Sequence, residues 1–120
     1  MKVNIDIMPL SSNTWVNDKG EGWYIATLLE YVKENKLESF KMPLVGCDLS
    51  YLPFDVKSLK EFIFQMKRVN NTDLKYPILI DDNGSICDGY HRLCKAILNG
   101  DEYIDAIRID KMPPCNFKDE

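Results

Sequence analysis

The chain has 120 residues, 45% of them hydrophobic and 28% charged. That suits one globular domain with a single core and excludes a disordered tail. A formal charge of −4 and a pI near 5.0 argue against a surface that grips nucleic acid throughout by neutralising phosphates, or membranes through basic residues.

The N-terminus, Met1-Lys2-Val3-Asn4-Ile5-Asp6, lacks the apolar core of a secretory signal. The longest apolar runs, such as Ile78-Leu79-Ile80, are too short to span a bilayer. A cytoplasmic location is therefore expected, with Cys47, Cys87, Cys94 and Cys115 as reduced thiols. No C-x-x-C spacing occurs and His91 is the single histidine, so a structural zinc site is not expected.

In chain order, Val3, Ile5 and Ile7 alternate with polar residues and predict a strand ended by Pro9. Residues 10–22 are rich in turn formers and read as a surface loop, with Trp15 in it as a core anchor or a ligand-stacking ring. From Trp23 to Asn35, Ile25, Leu28, Leu29 and Val32 form the stripe of an amphipathic helix. A strand is expected over Lys41 to Cys47. A second helix follows, with Asp55 as its N-cap, Phe54 stapled to Leu59, and Val56, Leu59, Ile63 and Met66 on its buried face. It ends at Asn70-Asn71.

The second half has sharper punctuation. Tyr76 to Ile80 reads as a buried strand, Asp81-Asp82-Asn83-Gly84 as a tight turn of plain turn residues, and Ser85-Ile86-Cys87 as the partner strand. A helix is expected from Tyr90 to Leu98, with Leu93, Ala96 and Ile97 facing in and Asn99-Gly100 as its stop. Tyr103 to Ile109 is the last strand. The sum is a mixed α/β (α+β) domain of about five strands and three helices over residues 1–110, with 111–120 as a loosely held tail.

Charge is uneven along the chain. Residues 57–76 carry a local +3 and residues 101–120 a local −3. The basic stretch suits either a solvated helix face or a polyanion.

Chemistry concentrates at Cys87-Asp88-Gly89-Tyr90-His91-Arg92, where a strand runs through a glycine straight into a helix. The glycine allows a close turn. The first helical N–H groups, of Tyr90, His91 and Arg92, then face outward at the positive end of the helix dipole, an arrangement that suits a phosphate. Arg92 adds a planar fork that matches phosphate oxygens. The alternative partners for Arg92 are the carboxylates Asp88 and Glu102. Asp88 is either a cap on the helix start or a base or metal-water ligand. Asp48 and Asp55 are weaker carboxylate candidates.

The segment Pro77-Ile78-Leu79-Ile80, a turn, then Ile86-Cys87-Asp88-Gly89-Tyr90-His91-Arg92-Leu93, Gly100 and Ala106-Ile107-Arg108-Ile109 resembles the core of the ParB/sulfiredoxin superfamily, over residues 41–110. In ParB proteins the equivalent Gly-x-x-Arg helix start binds the triphosphate of CTP. In sulfiredoxins a Gly-Cys-His-Arg version binds ATP. In free serine kinases of the superfamily an Asp-Gly-x-x-Arg-like segment, often with His before the Arg, lies under the nucleotide phosphates, and Asp88-Gly89-Tyr90-His91-Arg92 is closest to that spelling. The resemblance implies that Gly89 makes the turn, that Tyr90, His91 and Arg92 line the phosphate site, and that His91 and Arg92 touch phosphate.

The departures narrow this. Tyr90 stands where sulfiredoxins carry their reactive cysteine, so sulfinic acid repair is not expected. With Arg68, Arg92 and Arg108 its only arginines, the chain lacks the further arginines of ParB proteins, and it has no room for their helix-turn-helix domain. The expectation is a cytoplasmic nucleotide-binding domain that takes ATP or CTP with Mg²⁺, leaning towards a small kinase or NTPase, with Asp88 and His91 as catalytic candidates and Asp88 as the metal candidate. Two alternatives stay open: a nucleic-acid-binding protein or nuclease of a phage or mobile element, and a degenerate domain that serves as a protein-interaction module.

Overall fold

The computed structural model of the chain describes residues 1–5, 13–50 and 52–118. Among them are seven strands in two sheets and three α-helices. The mixed α/β class expected from the sequence is the one observed.

The central sheet has the order β3-β6-β4-β5, built from β3 (Phe40–Pro43), β4 (Ile78–Ile80), β5 (Ile86–Asp88) and β6 (Tyr103–Arg108). β4 and β6 run parallel, while β3 and β5 are antiparallel to their neighbours. Side chains alternate across a strand, and β4 shows why its three residues are all apolar. Ile78 and Ile80 face a core shared with Leu44, Leu93, Ala96, Ile104 and Ala106, whereas Leu79 faces a second core with Trp23, Ile25, Leu28, Cys87 and Ile109. Helix α3 (Tyr90–Leu98) covers the first face. Helix α1 (Ile25–Glu34) and the strand before it cover the second.

The other sheet has the order β1-β2-β7, formed by β1 (Thr14–Val16), β2 (Glu21–Tyr24) and β7 (Phe117–Lys118). Two expectations are corrected here. Residues 13–22 form most of a β-hairpin, not a loop, because Asn17 closes the turn: its Oδ1 accepts the N–H groups of Lys19 and Glu21. Residues 111–118, expected to be a loosely held tail, are tied down at several points. Pro113 O accepts from Trp23 Nε1 at 2.9 Å, Asn116 N donates to Gly22 O at 2.8 Å, and Phe117 pairs with Gly22. Ile7 and Pro9, on which the first strand expectation rests, lie outside the described residues, and Val3 and Ile5 belong to no strand.

Helix α2 (Leu59–Asn71) also departs from expectation. Its N-cap is Ser58, whose hydroxyl accepts from Glu61 N at 3.1 Å, and not Asp55, which stands in an exposed ion pair with Lys57. The face read as buried is turned outward: Leu59, Ile63 and Met66 are exposed and only Val69 is buried along the helix. The reason is that α2 leans on α3 along a narrow polar seam. Gln65 meets His91, and Lys95 Nζ donates to the carbonyls of Asn70 and Thr72. Leu29 on α1 and Ile97 on α3 are likewise exposed rather than core. No helix among the described residues is long and apolar enough to cross a membrane.

Candidate functional site

The turn at Asp88-Gly89 forms as the sequence requires. Gly89 is the N-cap of α3 at φ 116°, a left-handed conformation, and no side chain caps the helix start. Its missing Cβ matters twice, since a Cβ there would lie 2.4 Å from Ile78 Cγ2 and 3.1 Å from Arg92 Nη2. Only a glycine lets β5 pass under β4's side chains and turn at once into α3.

Two clefts meet at this turn. One, of about 270 Å³, is lined by Arg68, Asn71, Thr72, Asp88, Gly89, His91 and Arg92. The other, of about 400 Å³, shares Arg68, Asp88, Gly89 and His91 with the first and adds the β1 hairpin from Asn13 to Val16, Phe54 and Tyr90. A larger cleft of about 960 Å³ lies beyond and shares Trp15, Val16, Ile86 and Tyr90 with the second. Trp15 packs against the core, its ring stacked on Trp23 with centroids 5.5 Å apart, and it also lines the two larger clefts.

The expected site residues therefore come together, each in a specific set of contacts. Arg92 Nη2 donates to Asp88 Oδ2 at 3.0 Å, and Nη1 to the Tyr76 carbonyl at 3.3 Å. Asp88 is thus paired by Arg92, one of the partners allowed by the sequence. His91 Nε2 donates to Gln65 Oε1 at 2.7 Å, and its ring stacks on Phe54 at 4.5 Å. Burial first, then the charges of Arg68 and Arg92, push the His91 pKa down to about 4. The imidazole is accordingly neutral at pH 7.

Arg68 was not singled out from the sequence, and it belongs to this site. Its guanidinium, held by α2, lines both clefts and acts electrostatically on Asp88 and His91. Burial lowers its pKa, and Asp88 opposes that shift. The sequence signal available was its scarcity, one arginine of three, in the basic stretch. The third, Arg108, is engaged elsewhere with Asp110 and the Asp82 carbonyl.

Comparison with protein-family models, with curated proteins and with solved structures finds no match to this chain.

The two weaker carboxylate candidates fall outside the Asp88-Gly89 turn: Asp48 lines the largest cleft and Asp55 lies on the surface. Asp81 is the turn residue expected, buried, with Oδ1 accepting from Asn83 N and Ser85 N. Among the described residues no three His, Cys, Asp or Glu side chains gather in a metal-binding group. The four cysteines are free thiols, and burial followed by Asp81, Asp88 and Asp82 pushes the Cys87 pKa up to about 12, which makes it an inert packing group.

Proposed function

We propose that the chain binds the phosphates of a nucleotide, ATP or CTP with Mg²⁺, at the start of α3, and acts as a small nucleotide-dependent phosphotransferase or NTPase. The observation that carries this reading is the pair Arg68 and Arg92 lining one cleft at an uncapped, glycine-initiated helix start. Two guanidiniums and a helix dipole there favour a polyanion. The similarity of Asp88-Gly89-Tyr90-His91-Arg92 to nucleotide sites of the ParB/sulfiredoxin superfamily points the same way.

The donor set suits a Mg²⁺ that arrives with the nucleotide. Asp88 is the one carboxylate lining either of the two smaller clefts among the described residues. Its Oδ2 is taken by Arg92, which leaves Oδ1 for the ion or one of its waters, the remaining ligands being phosphate and water. Bound in that way, the ion would neutralise charge on the phosphates. Phosphate recognition falls to Arg68, Arg92 and the backbone at Gly89–Arg92, and a proton could be taken by Asp88 or by neutral His91.

Calorimetric titration with ATP, ADP, CTP and GTP, with and without Mg²⁺, tests the reading. Binding that weakens in Arg68→Ala and Arg92→Ala is expected. Silence with all four, or affinity unaltered in both variants, overturns it. The bonds Asp88–Arg92 and His91–Gln65 also favour a second reading, a pocket that no longer takes a nucleotide in a domain kept for protein interaction. The same titration separates the two.

A further inference from the structure

Helix α2 carries an apolar stripe that nothing in the fold uses. Leu59, Phe62, Ile63 and Met66 recur at i, i+3, i+4 and i+7, and each is between 40% and 74% exposed. None of them belongs to either core: α2 meets the body through Gln65 and Arg68 on another face and through the buried Val69 at the C-terminal end of the stripe's flank. Single exposed apolar residues are ordinary, but four on two successive turns of one helix face form a contiguous patch of the kind that marks interaction sites.

The charges beside the stripe say what it fits. Lys60 and Lys67 lie seven residues, about two turns, apart along one edge, and the one carboxylate on α2, Glu61, accepts instead from the Lys57 backbone N–H. Lys67 donates to the neutral carbonyl of Ile5, so its positive charge is uncompensated by that bond. A second copy is a poor occupant. Two α2 helices stacked antiparallel through this face would place four lysines on the same side, where like charges repel.

We infer that this face of α2 docks an acidic amphipathic helix of a protein partner, whose apolar stripe packs on Phe62, Ile63 and Met66 and whose carboxylates face Lys60 and Lys67. Two amphipathic helices pack stripe against stripe in this way, each presenting apolar residues at i, i+3, i+4 and i+7, the spacing that α2 carries. The surface lies on the side of α2 away from the Arg68–Arg92 cleft, and the inference stands whether or not that cleft takes a nucleotide.

The test uses the whole chain and two synthetic helical peptides of about 18 residues, roughly five turns. Both have leucines at the heptad a and d positions; one is flanked by glutamates and the other by lysines. Fluorescence anisotropy is expected to show binding of the acidic peptide and none of the basic one. Ile63→Ser should weaken the acidic peptide about tenfold. Lys60→Glu/Lys67→Glu should reverse the preference. All these positions are exposed, and circular dichroism verifies that each variant is folded. The proposal is overturned if neither peptide binds, if both bind alike, or if Ile63→Ser leaves affinity unchanged. Sedimentation of the wild-type chain as a dimer that Ile63→Ser converts to monomer would assign the face to a second copy instead. Retardation of duplex DNA that Lys60→Glu/Lys67→Glu abolishes would assign it to nucleic acid.

Discussion

Arg92 and Asp88 form an ion pair across the junction of β5 and α3, 3.0 Å apart, with side chains only 14% and 23% exposed. The pair bridges the glycine turn. Its guanidinium also reaches the Tyr76 carbonyl, so one side chain ties together the start of α3, the end of β5 and the lead into β4. Removing Arg92 would leave Asp88 partly buried without its cation. Arg92→Ala is expected to cost about 1–3 kcal/mol, the range for orphaning a partly buried hydrogen-bonded group. Urea unfolding measures it, and a midpoint equal to wild type would contradict the structural role.

Gly89→Ala should be among the costliest single changes in the chain. The substitution meets both an unfavourable φ of 116° and an overlap with Ile78, whereas Gly84, at φ 85°, has open space around it. The expected loss is about 2–5 kcal/mol for Gly89→Ala, backbone strain and overpacking together, against about 1–2 kcal/mol for Gly84→Ala, strain alone. Thermal unfolding of both variants checks the contrast, which equal losses would refute.

What the sequence made legible follows the range of the interactions involved. The α3 start, the Asp81–Gly84 turn and the helix stop at Gly100 depend on neighbours a few residues apart, and each formed where it was expected. The β1–β2 hairpin and the pairing of Gly22 with Phe117 did not show, because turn formers hide a hairpin whose strands are three and four residues long and because the partner lies 95 positions on. The sequence places helix α2, but its apolar period reads as a buried face, whereas the structure turns that face outward. A period of 3.6 reports one-sidedness, and which side meets the body depends on α3. For the same reason Arg68 went unnoticed, since only the packing of α2 beside α3 brings it to Asp88 and His91.

Stability should fall in mild acid, and His91 is one cause. Its pKa in the folded chain is about 4, below the ordinary value of 6.5 that it regains on unfolding. Between those values the unfolded chain binds the extra proton, so the stability that neutral His91 contributes is complete above pH 6.5 and is lost progressively as pH falls towards 4. Denaturant midpoints measured across this window should slope downward towards acid. His91→Gln should flatten the slope, and an unaltered slope would rule His91 out as its source.

Gly22 and Phe117 offer a test of the C-terminal attachment. A Cβ on Gly22 would lie 2.3 Å from the Phe117 ring, so Gly22→Ala must displace the ring and with it the short strand β7. The amides of Asn116 and Tyr24, which donate to Gly22 O and Asn116 Oδ1, should then exchange faster with solvent. Hydrogen exchange read by NMR decides the matter. Protection retained at both amides would mean that β7 does not depend on this contact.

Arg68 and Arg92 should differ in how they support a nucleotide. Arg92 already holds Asp88, whereas among the described residues no ion pair engages Arg68, which is partly buried and lines both clefts. Arg68→Ala should therefore weaken nucleotide binding about tenfold, as loss of one charge-assisted contact, and leave the unfolding midpoint within error. Arg92→Ala should lower both. On the proposed reading Asp88→Asn gives the opposite sign without metal, because it removes the one carboxylate that lines this cleft among the described residues: affinity for ATP in the presence of a chelator should rise, while the gain from adding Mg²⁺ should shrink. Titration of the three variants with and without Mg²⁺ reads all of these at once. If Asp88→Asn weakens binding in chelator as much as Arg68→Ala does, the carboxylate positions Arg92 for phosphate and the ion is not held through Asp88.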